Sequence, residues 1–344
     1  KEMQRLKFKL PLLIGGATTS ELHTAIRIAP HYDFPVIHVK DASKAAGVIS
    51  NLLSQEASEN YASSIREKYN SIRENYNSKS EYTYIKLEEA RNNGFDFGWN
   101  EYKILTPNKK GVHSLHNYPL EEIRKYIDWT FFFHAWKMNG RYPAILADPV
   151  KGGEAKKLFD DANAMLDEII GDKMLTAHGV AGFYPCNSVG DDIEIYENES
   201  RQNRIATLHF LRNQQQKEKG QPNLCLADYI APRSSGHVDY IGGFAVTAGH
   251  GADEWASKYE QEHDDYKAIM IKILADRLAE AFAELLHERV RKDFWGYHPD
   301  ENLDVTALIR EEYIGIRPAP GYPACPEHSE KVTLFELLNA TNET

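Results

Sequence analysis

The segment from about Asp253 to Lys292 constrains the fold more than any other. Read at 3.6 residues per turn, Ile269, Met270, Ile273, Leu274, Leu278, Ala281, Phe282, Leu285 and Leu286 form one wide apolar face. This predicts a long helix, with or without an interruption, and such a face must be covered by other elements. The covering material precedes it in the chain. Val180–Tyr184, Asp192–Tyr196, Ile205–Phe210 and Tyr240–Val246 read as short strands. Turn residues such as Asn187-Ser188, Asn198 and Gly236 separate them, which predicts an antiparallel sheet. A second helix is expected from about Glu154 to Ile170. Another begins at Pro119, a good first helical residue, with Leu120, Ile123 and Ile127 on one face. Helices that follow strands rather than alternate with them place this part of the chain in the α+β class.

The first fifty residues follow a different rule. Residues 8–14 read as a buried strand that Gly15-Gly16 break, Ser20 is placed to cap a helix, and Pro30 ends it. Pro35 to Val39 is the next strand, and Ala45, Val48, Ile49, Leu52 and Leu53 line a helix after it. Strand, helix, strand and helix with short loops is the pattern of a parallel doubly wound sheet. Two strands do not close such a sheet, and the chain starts with Lys rather than Met, so it reads as part of something longer. Between these parts, Tyr61 to Ser80 is polar with a thin stripe of Ile65, Tyr69, Ile72 and Tyr76, as a surface helix would be. Pro107 to Gly111 reads as a loop.

Composition narrows the function. With 51 acidic against 40 basic residues the net charge is −11, which opposes a general affinity for nucleic acid. No apolar run approaches the roughly 18 residues of a membrane span. Cys186, Cys225 and Cys325 are odd in number and far apart, which argues against a disulfide framework and fits a reducing cytosol.

The segment Arg317 to His328 carries four prolines in twelve residues and is therefore pre-set near an extended path. Within it Arg317 offers a planar fork for a carboxylate or phosphate, Gly321 permits close approach to the main chain, and Tyr322 offers a ring and a hydroxyl. This is a binding strip for a small anionic or zwitterionic ligand, or else a rigid surface loop. Asp128 stands before Trp129 and three phenylalanines, and Asp276, Glu280 and Glu284 form an acidic line on the long helix. His263-Asp264-Asp265 and His113 to His116 lack the spacing of a metal site.

Five stretches together carry a family resemblance: Leu12 to Ser20 (LLIGGATTS), Ile127-Asp128-Trp129-Thr130, Val189 to Tyr196 (VGDDIEIY), Leu274 to Glu284 (LADRLAEAFAE), and Arg317 to His328. The chain resembles, almost end to end, the C-terminal part of cobalamin-dependent methionine synthase (5-methyltetrahydrofolate–homocysteine methyltransferase). The resemblance implies an α+β reactivation domain with a central antiparallel sheet and long helices, preceded by a partial Rossmann-like α/β segment. It implies that residues 1–58 are the C-terminal part of the cobalamin-binding domain and 59–114 a linker. Residues 115–344 would then be the reactivation domain, which binds S-adenosylmethionine and would continue past Thr344.

In this family the reactivation domain presents S-adenosylmethionine to cobalamin while a flavodoxin-type donor supplies an electron, and inert cob(II)alamin returns to methylcobalamin. The resemblance therefore implies a methyltransferase of methionine biosynthesis in the cytoplasm. Cobalamin would be held mostly by segments before residue 1, and zinc only by domains outside this chain, so the chain alone would not complete methionine synthesis. The implied partners are the cobalamin-binding domain of the same enzyme and the electron donor, with Arg289, Arg291 and Lys292 as a candidate basic docking face. Carried over by motif, Asp128, Glu280, Arg317, Ala319, Gly321 and Tyr322 are expected at S-adenosylmethionine, and Gly15, Gly16 and Ala42 at cobalamin. Phe131 stands where the family pattern commonly has Pro. Two other classes compete: a non-catalytic module that binds S-adenosylmethionine or docks on a partner, and an acid–base enzyme built on Asp128, His263 and Glu280.

Overall fold

The computed structural model describes residues 2–15, 19–39, 45–54, 58–79, 83–99 and 101–344. The chain forms two compact units, Lys1–Tyr84 and Ile85–Thr344. The expected boundaries near 58 and 114 therefore differ from the observed division. The polar helix Ser58–Lys79 belongs with the first unit, because its buried Tyr69 hydroxyl accepts a 2.9 Å hydrogen bond from the His38 main chain. Residues 85–114 belong with the second.

In the first unit, β1 (Leu12–Gly15) and β2 (Val36–Val39) pair in parallel, from Leu12 opposite Val36 to Gly15 opposite Val39. Ser20 caps the helix Glu21–His23 by accepting from the His23 N–H at 3.1 Å. The chain then widens into a π-helical turn, Thr24–Ile28, before a single 3-10 turn, Ala29–His31, that contains Pro30. Proline stops the ladder there because it has no N–H to give. A helix, Ala45–Leu53, follows β2. Gly16 and Ala42 lie outside the described residues.

The second unit is built on a five-stranded antiparallel sheet. Its centre is β4 (Thr176–Val189). One edge of β4 pairs along most of its length with β7 (Asp239–His250). The other edge pairs first with β3 (Gly111–Leu115) and then with β5 (Asp192–Tyr196), which pairs with β6 (Arg204–His209). Gly190, at φ +65°, starts the two-residue turn from β4 to β5. Its neighbour Asp191 accepts from buried Arg212 at 2.7 Å and from Arg91 at 2.8 Å. The VGDD stretch is thus a hairpin turn pinned by two guanidinium groups, and these hold the Asp191 carboxyl below its ordinary range against the opposing effect of burial.

Successive residues of β4 face opposite sides, as the pleat requires. Ala177, Ala181 and Phe183 join a core with the helices Gly152–Gly171, Ala252–Gln261 and Asp265–Arg289. Val180 packs on the other side against Leu334 and Leu338 of the helix Glu330–Leu338. That helix sits on a cross-strand glycine pair, Gly182 opposite Gly243. A Cβ on Gly182 would stand 2.8 Å from Leu338, and one on Gly243 2.5 Å from Leu334. The expected long helix is interrupted once. His263 takes φ +60°, and Asp264 starts the next helix by accepting from the Lys267 N–H at 2.9 Å. The residues weighed as a metal or acid–base group are therefore a helix cap. Pro119 likewise caps the helix Leu120–Ile123 rather than starting it. Among the described residues no helix is long and apolar enough to cross a membrane, and no group of His, Cys, Asp and Glu is arranged to hold a metal ion.

Candidate functional site

The helix Asp265–Arg289 has a second face. Arg277, Glu280, Glu284 and His287 recur at i, i+3, i+7 and i+10, and Arg291 continues the row in the next turn. The apolar residues on the far side fix this helix against the sheet, and Glu284, His287 and Arg291 of the row meet residues of the segment 301–317.

The charges in the row are paired within it or with the segment beyond it. Arg291 is fully buried. Its Nε and Nη2 donate to Glu301 at 2.7 and 2.5 Å, and its Nη1 to His287 Nδ1 at 2.7 Å. Its guanidinium lies 4.4 Å from the Tyr313 ring centroid. A charge buried this deeply is tolerated because it is paired with a carboxylate and hydrogen-bonded from all three of its nitrogens. His287 must accept at Nδ1 and is therefore neutral. Burial, then Arg291, then Arg317 push its pKa down to about 3. Arg277 donates to Glu280 at 3.4 Å, while its Nε is buried without a partner.

Arg317 leaves its irregular segment to meet this row. Its Nη2 donates to Glu284 Oε1, both side chains being mostly buried. Its Nη1 is buried with no partner. A buried, charged donor with nothing to bind costs free energy comparable to a lost charged hydrogen bond. Such an atom marks where an acceptor belongs.

Beyond Arg317 the strip folds tightly. Gly321 N–H donates to the Cys325 carbonyl at 2.7 Å, and the Cys325 N–H to the Tyr322 carbonyl at 2.9 Å. Gly321 takes φ +100°, and a side chain there would collide with the His328 ring. Only glycine fits on both counts. The turn buries Cys325 and leaves the Tyr322 ring 67% exposed. Asp128 caps the helix Trp129–Ala135, accepting from the Thr130 N–H at 2.8 Å. That helix packs on Asp265–Arg289. Next to it, Tyr126 donates to Glu288 at 2.5 Å, and burial, then Glu288, raise its phenol pKa well above the ordinary range. Phe131, in the first turn of the same helix, points its ring to solvent.

Glu280 thus lies on the helix Asp265–Arg289 and Arg317 bonds to Glu284 of it, Asp128 caps a neighbouring helix that packs on it, and Ala319, Gly321 and Tyr322 share one turn. Glu280 is exposed and engages Arg277; the carboxylate that meets Arg317 is Glu284. Glu284, Arg277 and His287 are residues that sequence reasoning did not single out for the site. Glu284 was visible only as one of three acids on a helical line. Gly15 lies in the first unit, at the exposed carboxyl end of β1. Of the candidate docking face, Arg291 is excluded by its burial. Arg289 bonds Asp293 at 3.4 Å and Lys292 bonds Glu288 at 3.3 Å.

Residues 119–344, which are 226 of the 344, match the family model described as vitamin B12 dependent methionine synthase, activation domain. The chain belongs to this family. A crystal structure of the MetH reactivation domain bound to AdoHcy is 55% identical to it, over 74% of this chain and 78% of that one, with a TM-score of 0.72. The α+β architecture, a helix-covered antiparallel sheet, is that of the activation domain.

Proposed function

We propose that this chain binds S-adenosylmethionine and supports the reductive methylation of cob(II)alamin to methylcobalamin within a cobalamin-dependent methionine synthase, a methyltransferase of methionine biosynthesis. The observation that carries the reading is the 55% identity to a reactivation domain bound to AdoHcy, the remnant of S-adenosylmethionine after its methyl has left. When bound, the donor supplies an electrophilic sulfonium methyl and cobalamin the cobalt that takes it up. The buried, unpartnered Nη1 of Arg317 and Nε of Arg277 fit a ligand rich in acceptors.

In this reading Arg317 Nη1 donates to the ligand carboxylate. Asp128 and Glu280 offset the ammonium and sulfonium charges. Main-chain groups of Ala319 and Gly321 line the ligand, and Tyr322 edges the site near the methyl. No residue has to move a proton, because the methyl leaves a sulfonium and a neutral thioether remains. The protein's task is distance and orientation.

Residues 1–58 belong in this reading to the cobalamin-binding domain, with Gly15, Gly16 and Ala42 at the cofactor; carboxyl ends of parallel strands are where such sheets take ligands. The partners are the cobalamin-binding domain and a flavodoxin-type donor in the cytoplasm, with Arg289 and Lys292 left as candidate contacts.

Calorimetric titration with S-adenosylmethionine tests the reading. The wild-type chain should bind, and Arg317→Ala should weaken binding by about 2–5 kcal/mol, as loss of a charged partner does. A wild-type chain that ignores the ligand refutes the function. Equal affinity in Arg317→Ala refutes the role of that residue.

A further inference from the structure

We infer that Glu284 is the positioning residue of the site: it grips one edge of the Arg317 guanidinium so that the other edge, Nη1, stays aimed at the anionic group of the ligand. The inference rests on the reading of Arg317 just given. Residue 317 lies in a segment without regular structure, so its backbone does not fix the long side chain. Glu284 stands on a rigid helix whose opposite face is core. A flexible group gains precision when a rigid element holds it.

The neighbouring charges leave Glu284 this one task. Arg277 pairs with Glu280, and Arg291 pairs with Glu301 and donates to His287. His287 is neutral and competes for neither partner. Among the described residues only Arg317 reaches Glu284, with Nη2, and its buried Nη1 is left without a partner. A planar fork held at one edge presents the other in a fixed direction.

Charge and positioning predict opposite effects of removing Glu284. By charge alone, a carboxylate beside an anion-binding cation weakens anion binding, so removing it should tighten the ligand. Positioning requires the reverse. Glu284→Ala should weaken S-adenosylmethionine binding about tenfold or more, the scale of a charged hydrogen bond. Glu284→Gln keeps an acceptor for Nη2 and should stay within about threefold of wild type. Decarboxylated S-adenosylmethionine, which retains the ammonium and sulfonium, should bind wild type and Glu284→Ala alike. In an Arg317→Ala background, Glu284→Ala should cost nothing more.

Titrations of these variants with both ligands, beside a melting curve for each, decide the matter. Unchanged or tighter S-adenosylmethionine binding by a folded Glu284→Ala overturns the inference. So does equal loss of both ligands, which would make Glu284 a direct contact to the ammonium or a general structural support. Additive losses with Arg317→Ala overturn it as well. Should wild type bind and Arg317→Ala fail while Glu284→Ala behaves as wild type, only this inference falls. Should wild type not bind at all, the proposed function falls with it.

Discussion

At the scale of the residue, neutrality matters as much as charge. His287 is packed between Arg291 and Tyr313, whose ring lies edge-on at 4.7 Å, and its Nδ1 must accept from Arg291. Its folded pKa of about 3 lies below the ordinary histidine value near 6.5. The unfolded chain therefore takes up a proton near pH 6.5 that the folded chain refuses until about pH 3. Stability is full above pH 6.5 and falls as pH drops through that window, by about 1.4 kcal/mol per unit, or about 2 kcal/mol by pH 5. Burial and two histidine neighbours also lower the pKa of His178, which adds to the slope with the same sign. Carboxylates with lowered values, such as Glu301, enter only nearer their ordinary range around pH 4.5. His287→Asn keeps an acceptor for Arg291 and cannot be protonated. Urea unfolding at pH 7, 6 and 5 should show a shallower loss of stability in this variant, and equal slopes would refute the assignment. The proline strip made Arg317 legible in the sequence. Its partner was not, because choosing among Asp276, Glu280 and Glu284 depends on where a loop from another part of the chain docks on the helix.

At the scale of the element, the seat of the helix Glu330–Leu338 is a close-packed contact. Leu334 approaches β7 over Gly243, and Leu338 approaches β4 over Gly182 beside the Tyr184 ring, whose hydroxyl donates to the Leu337 carbonyl at 2.5 Å. Gly243→Ala would place a methyl 2.5 Å from Leu334 and should cost about 1–3 kcal/mol, the usual scale of overpacking. Leu334→Ala should relieve the clash, so the double variant should be less destabilised than the sum of its singles. Strict additivity in chemical denaturation would show that the helix does not rest there. The same small residues explain what sequence patterning missed. The cores of β4 and β7 were legible from their apolar residues. Their full lengths were not, because Thr176 to Gly179 and Thr247 to His250 are small or polar and carry little strand signal. The strand β3 was hidden altogether. It is a half-exposed edge of Gly, Val, His, Ser and Leu whose partner lies more than sixty residues away. The long helix was legible because its apolar period is dense and uninterrupted from Ala268 onward.

At the scale of the whole molecule, the placement of residues 85–118 decides what a folding unit is. The family match begins at residue 119, yet the second compact unit begins at Ile85. The intervening stretch contributes β3 to the sheet and Arg91 to the buried Asp191. Asn93 donates to Asn223 at 2.7 Å, the Leu105 carbonyl accepts from the Trp295 indole at 2.8 Å, and the Lys109 main chain bonds that of Phe294 at 2.9 Å. Removing it would bare one edge of β4 and leave Asp191 with Arg212 alone. All six residues assigned to S-adenosylmethionine lie beyond the cut, so ligand contacts alone would not register the loss. Residues 85–344 produced alone should melt in one transition and bind the ligand as the 344-residue chain does. Residues 119–344 should be less stable by at least about 3 kcal/mol, from the broken ladder and a weakened buried charge pair, which lowers the melting temperature by about 6–12 °C in a domain of this size. Equal melting temperatures for the two would mean that residues 85–118 merely lie on the activation domain. A drop of that size, reversed in part by saturating S-adenosylmethionine through linkage, would mean that the sheet presenting the site is complete only with them.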